Sequence, residues 1–371
     1  MRLLVLPGDG IGPEITDATL RVLDTVDRRF GLGLEIDCHE IGFASLATDG
    51  TTLPDSVLDA VAAADGTVLG PVSHYDYPPA AQGGVNPSAA LRTRFRLHSN
   101  IRPARSVEGL TVLRAPLDVV IVRENTEGFY ADRNMHAGTG EFMTDADTAL
   151  AVRKVTATAC RAVAEQAFRL AETRRRHVTA VHKANVLKLS DGLFLREVRA
   201  VAAEHPDVEL RELIVDAAAA RLIRDPQLFD VLVTTNMFGD ILSDEATELA
   251  GSLGIGGSIS VDAADRVCVA QAQHGSAPDI AGQGVANPVS LIASVAMLLR
   301  WWGGKDRSRV AFVEAADAVD AAVALLVAAP ETRTRDLGGP LGTTAFTDAL
   351  VARLDDGTEL VETNTAQEAR S

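Results

Sequence analysis

Short apolar runs alternate along the chain with longer segments of helical apolar period. Leu3 to Leu6 reads as a buried strand that stops at Pro7-Gly8-Asp9-Gly10-Ile11-Gly12-Pro13, and a helix opens there with Pro13 in its first turn. Val68–Gly70, residues 117–123, Val178–His182 and Phe229–Thr235 read as further strands. Helical period marks residues 146–171, 189–204, 288–303 and 312–328, and the segment that carries Asp240. Residues 73–88 are a turn-rich loop, and 356–371 is a polar, charged tail. Strands alternating with helices predict an α/β architecture. No run of about 20 apolar residues occurs, so no membrane span is expected.

Composition narrows this picture. The 371 residues suffice for two or three core-forming units at about 150 residues each. Aromatics are only 4% of the chain against 47% hydrophobic residues, so the core must be aliphatic. A net charge of −16 disfavours nucleic acid and anionic membrane surfaces as partners. Acidic substrates would then need local arginine clusters. Cys38, Cys160 and Cys268 show no metal or redox spacing, which fits a reducing cytoplasm.

Asp240 and Asp244 stand four apart at a helix start, so they share a face. Paired carboxylates repel unless a cation lies between them, and hard oxygen ligands suit Mg²⁺ or Mn²⁺. The blander reading is an acidic, solvated first turn. Arg92, Arg94, Arg96 and Arg102 crowd one stretch of this acidic protein. Arg92 and Arg102 could grip carboxylates, whereas Arg94 and Arg96 read as a solvated face. Arg123 closes an apolar strand ahead of a Gly-containing loop and Tyr130. Lys183 follows another strand, as a snorkelling side chain or an acid/base. Asp216 adds a carboxylate at a strand end. The Gly8–Gly12 turn is GxGxG, without the GxGxxG spacing and later acid of a Rossmann fingerprint. The loop from His274 to Pro288 is rich in small residues that allow close backbone approach, and Asp279 could accept hydrogen bonds from a ribose diol.

Two long motifs, Thr234-Thr-Asn-Met-Phe-Gly-Asp-Ile-Leu-Ser-Asp244 and His274-Gly-Ser-Ala-Pro-Asp-Ile-Ala-Gly-Gln-Gly-Val-Ala-Asn-Pro288, carry a resemblance to the β-decarboxylating isocitrate/isopropylmalate dehydrogenases. It runs from Leu4 to about Leu350. The resemblance implies that family's two-domain α/β fold, not Rossmann. One domain would join 1–99 to 251–355 and bind the cofactor; the other, 100–250, would form a homodimer. Arg92, Arg102 and Arg123 would hold the malate carboxylates, with Asn86, Ser88 and Asn185 also at the substrate. Asp240 and Asp244 would bind Mg²⁺ or Mn²⁺, joined by Asp216. Lys183 and Asp216 would reach into the second subunit's site. Lys183 would remove the 2-hydroxyl proton and Tyr130 would protonate the product enolate. NAD would lie against Ile11, His274, Gly275, Ser276, Ala277, Asp279 and Asn287. Relatives that use NADP resemble Lys-Tyr where this chain has Asp279-Ile280, so NAD is expected.

The same resemblance bears on the substrate. Isopropylmalate enzymes resemble Leu-Leu where this chain has Ser88 and Ala89, and an isopropyl group would lose its apolar packing there. Isocitrate enzymes resemble a Ser-x-Asn six and four residues before the Arg; here Asn86 and Ser88 reverse that order around Pro87. A D-malate with a polar or anionic 3-substituent is therefore expected, in the isocitrate/homoisocitrate manner. Alternatives are 3-isopropylmalate, tartrate or D-malate as substrate, or a non-catalytic regulatory subunit. Gln271 departs from the family's usual Glu three residues before the loop His.

Overall fold

The computed structural model describes residues 1–130, 135, 136 and 138–356; most of the polar tail lies outside them. β1 (Arg2–Leu6) leads through the Gly8–Gly12 turn into α1 (Gly12–Phe30). Then come β2 (Glu35–Cys38), α2 (Gly42–Asp49), α3 (Asp55–Ala63), β3 (Gly66–Leu69), α4 (Pro87–Arg94), β4 (Ser99–Arg105) and β5 (Asp118–Glu124). A separate ribbon pairs β6 (Glu141–Asp145) with β7 (Thr148–Ala151). After it come α5 (Ala157–Glu172), β8 (His177–His182), α6 (Ser190–Glu204), β9 (Glu209–Ile214), α7 (Val215–Arg224), β10 (Val231–Thr234) and α8 (Asn236–Ala250). Last are β11 (Ile259–Val261), β12 (Cys268–Gln271), α9 (Val289–Gly303), α10 (Val310–Ala328) and α11 (Thr343–Asp355).

One sheet runs β2-β1-β3-β12-β11-β4-β5-β10-β8-β9. Strands from both ends of the chain fill its first half, and strands from 99–234 fill the second. Within each half the pairing is mainly parallel. Three antiparallel steps at the centre (β12 to β11, β11 to β4, β4 to β5) reverse strand direction between the halves. A doubly wound Rossmann sheet has no such reversal.

Both faces are covered, which is why the strands read as unbroken apolar runs. Leu3 and Val5 of β1 pack into the cluster of α1, α9, α10 and α11, while Leu4 and Leu6 meet Val57, Val61 and Leu91 on the opposite face. In the second half, Val231 and Val233 face Phe168 of α5 and Phe194 of α6, and Leu232 faces Leu222 of α7 and Leu242 of α8.

The helical period expected over 146–171 starts only at Ala157, where Thr156 caps α5 by accepting the Ala159 amide. Residues 148–151 extend instead because β6 lies opposite them, and propensity yields to that pairing.

Candidate active site

Two arginines set the centre. β4 and β5 pair with Asn100 opposite Arg123, so Arg102, two residues along, shares that face. α8 packs across both strands, and Gly239 makes room for Arg123: a Cβ there would lie 2.6 Å from Arg123 Cγ. Arg123 is 2% exposed and Arg102 7%. Buried guanidinium groups are tolerated only when paired and fully bonded. Arg123 donates to the Asn236 carbonyl at 2.9 Å, to Asn236 Oδ1 at 2.6 Å and to Asp240. Arg102 donates to Asn100 Oδ1 at 2.6 Å, Ser243 Oγ at 2.8 Å and Asp244 Oδ1 at 3.1 Å, and lies 3.4 Å from Asp240. Burial, with help from Arg102, pulls the Arg123 pKa down to about 10, and Asp240 opposes that shift. Burial raises the Asp244 pKa against the pull of Arg102. Tyr130 donates to Asp240 Oδ2 at 3.4 Å, which brings its hydroxyl to the same group.

Arg102 also lines a cavity of about 190 Å³ with Asn86, Ser88, Arg92, Gln271, His274 and Gly275. Four residues assigned to substrate from sequence thus share one space. Asn86 also caps α4, its Oδ1 accepting the Ala89 amide at 3.1 Å. Ser88 donates to Gln271 Oε1 at 3.0 Å.

The loop after β12, which adds His274 and Gly275 to this cavity, packs against the turn after β1. The Ile11 amide donates to the Ser276 carbonyl at 2.8 Å. Gly10 has φ +60°, and a Cβ there would sit 2.0 Å from that carbonyl oxygen, so only glycine fits. Ala277 is itself left-handed at φ +35°, a strained setting for a residue with a Cβ. Burial lowers the His274 pKa, and its Nε2 is buried without a partner among the described residues. An orphaned donor or acceptor of that kind, beside open space at Gly275, suits a bound ligand. Asp279 is exposed on a short helical turn, and Asn287 Nδ2 donates to Asp336 at 2.9 Å.

Lys183 and Asp216 are not part of this cluster. Lys183 Nζ pairs with Asp216 Oδ1 at 3.0 Å, and that bond holds the Asp216 carboxyl below its usual range. Asp216 is 62% exposed at the side chain, and Asn185 is exposed in the turn beyond Lys183. Among the described residues no group of three or more His, Cys, Asp or Glu side chains could hold a metal within one chain.

Sequence reasoning missed the supports: Asn236 under Arg123, and Asn100 and Ser243 under Arg102. Asn236 and Ser243 fall inside the Asp240/Asp244 motif, which was the available signal. Asn100 had none.

A family model described as isocitrate/isopropylmalate dehydrogenase matches residues 2–350. The chain is 39% identical to a 3-isopropylmalate dehydrogenase of Methanothermobacter thermautotrophicus, over 96% of this chain and 99% of that one. It is also 39% identical to an isocitrate/homoisocitrate dehydrogenase of Thermus thermophilus, over 95% and 98%. Its structure resembles isocitrate dehydrogenase from Methylococcus capsulatus at a TM-score of 0.83 and 36% identity, covering 95% of this chain and 99% of that one.

Proposed function

Since the chain belongs to the isocitrate/isopropylmalate dehydrogenase family, an oxidatively decarboxylating class of enzymes, we propose that it acts on a D-malate with a polar or anionic 3-substituent, using NAD and a divalent cation. One observation carries the substrate reading: the cavity beside Arg102 is lined mainly by polar side chains, Asn86, Ser88, Arg92, Gln271 and Gln273 among them, with Pro71, Val72, Ala89 and Ala272 as its apolar members and no Leu, Ile, Met or aromatic side chain other than the His rings. An isopropyl group would find only these small apolar partners there, at about 25 cal/mol for each Å² left unburied. Equal identity to both kinds of relative leaves the choice to these residues.

Arg92, Arg102 and Arg123 hold the two malate carboxylates and fix the hydroxyl-bearing carbon. Asp240 and Asp244 offer oxygen donors with 34% and 46% side-chain exposure, which fits a hard cation with open positions. Such an ion, held also by Asp216 of a second subunit, supplies charge stabilisation at the hydroxyl and its neighbouring carboxylate. NAD against Ile11, His274–Ala277, Asp279 and Asn287 supplies the hydride acceptor. The Asp279 carboxylate suits a ribose diol and repels a 2′-phosphate. Lys183 of the second subunit takes the hydroxyl proton, and Tyr130 returns one to the carbon that loses CO₂. Residues whose loss would mark a non-catalytic subunit are all present.

A homodimer is part of this reading. The β6–β7 ribbon is exposed throughout, with Phe142 at 47%, Met143 at 61% and Leu150 at 45%. A two-stranded ribbon with bare apolar side chains needs a partner.

The deciding assay follows NADH formation with Mn²⁺ on isocitrate, homoisocitrate, 3-isopropylmalate, D-malate and tartrate. Isocitrate or homoisocitrate is expected to give the highest kcat/KM. A strong preference for isopropylmalate would refute the substrate reading, and a preference for NADP the cofactor reading.

A further inference from the structure

A second cavity, of about 520 Å³, opens where the end of α4 meets the β11–β12 turn and the start of α5. Small-molecule sites span about 300–1,000 Å³, so the space admits a ligand. Arg94, Arg96, Arg161 and Arg266 line it, against two acids, Glu165 and Asp262. In a chain of net charge −16, such an excess of arginine in one cavity is a local reversal of sign. Both acids are already engaged. Glu165 pairs with Arg161 Nε at 2.8 Å, and Arg161 also meets Glu204 at 2.7 Å. Asp262 Oδ1 accepts the Arg266 and Val267 amides at 2.6 and 2.9 Å, and its Oδ2 lies 3.3 Å from Arg266 Nε. Two positive charges are left over, since Arg94 and Arg96 have no ion-pair partner among the described residues. Arg96 stands at φ +51° in the turn from α4 to β4, an uncommon setting for a residue with a Cβ. Burial and then the Arg96 charge lower the pKa of His98, which lines the same space, and Asp262 opposes them. The Arg96 charge is thus felt inside the cavity.

We propose that this cavity is a second anion site, which takes a small molecule bearing phosphate or carboxylate groups held by Arg94 and Arg96. The forked donors of a guanidinium group match the oxygens of either group. Phe95, Ala162 and Val267 add an apolar wall for the body of the ligand. The site stands apart from the substrate cavity. No residue lines both, although α4 contributes Arg92 to one and Arg94 to the other.

Isothermal titration of the full chain, dialysed free of metal, tests this with pyrophosphate and, separately, with tricarballylate. The tighter of the two tells a phosphate ligand from a carboxylate one, and it is expected to bind the wild type below about 1 mM. R94S/R96S should weaken that binding at least about tenfold, as expected for lost hydrogen bonds to a charged group. R92M, altered in the substrate cavity, should keep it within about twofold. Melting curves confirm that each variant is folded. Binding lost in R92M, whether or not R94S/R96S retains it, would put the anion in the substrate cavity and overturn the inference. So would binding unchanged in R94S/R96S, or a wild type that binds neither probe. The titrations need no turnover, so a failure of the reaction proposed above would leave their result standing.

Discussion

The acid–arginine cluster of α8, β4 and β5 and the Lys183–Asp216 pair are built in opposite ways. In the first, both guanidinium groups are buried and each meets several partners. In the second, one ion pair stands at the surface with Asp216 mostly exposed. A solvent-screened surface pair of that kind contributes little to stability. The cluster is therefore organised by its own chain, whereas the pair has little structural reason to exist where it stands. In the proposed homodimer, that pair is read as serving the site of a second copy.

The sharpest test of this contrast is a mixed dimer. K183M and D240N should each lose activity by about a hundredfold or more as homodimers. Refolded together they should regain turnover, because one site of the mixed dimer takes Asp240 from the first chain and Lys183 from the second. Kinetics that stay flat after mixing would confine each site to one chain. Stability gives the next largest effect. R123M removes the donor to Asp240 and to both oxygens of buried Asn236 and should cost about 3 kcal/mol by denaturant unfolding, whereas K183M should cost only a small fraction of that. Similar costs would erase the distinction between the two regions. Cofactor choice follows: D279K should raise the KM for NAD and narrow the preference over NADP by about tenfold. The smallest effect concerns pH. Burial depresses His274 below its ordinary value of 6.5, so the unfolded chain takes up the proton first. Its neutral form contributes stability above about 6.5, and that contribution is lost as pH falls toward the folded value. H274N should thus show a shallower decline in Tm between pH 7 and 5, and parallel curves would remove His274 from the account.

Much of this arrangement was legible beforehand. Apolar runs such as Leu3–Leu6 announced strands because both sheet faces are covered. Asp240 and Asp244 shared a face as their spacing required, and Asn86, Ser88, Arg92 and Arg102 converge on one cavity. The central reversal of the sheet was not legible. It depends on β11, only three residues long, whose place is set by neighbours distant in sequence. The β6–β7 ribbon was missed because Thr, Ala and Leu at 148–151 carry no strong strand signal without their partner. Asn100 escaped notice because its importance arises only where Arg102 turns back toward it.

The bond from the Ile11 amide to the Ser276 carbonyl joins the earliest part of the chain to one of the latest. During synthesis, β1 and β3 emerge long before β12, the strand that completes their edge. Residues 99–250 emerge earlier than β11 and β12 with their own strands and apolar clusters. The acid–arginine cluster can therefore assemble while translation continues, and the cavity beside it cannot. A nascent chain halted before Gln271 would hold one wall of the site and still await the other.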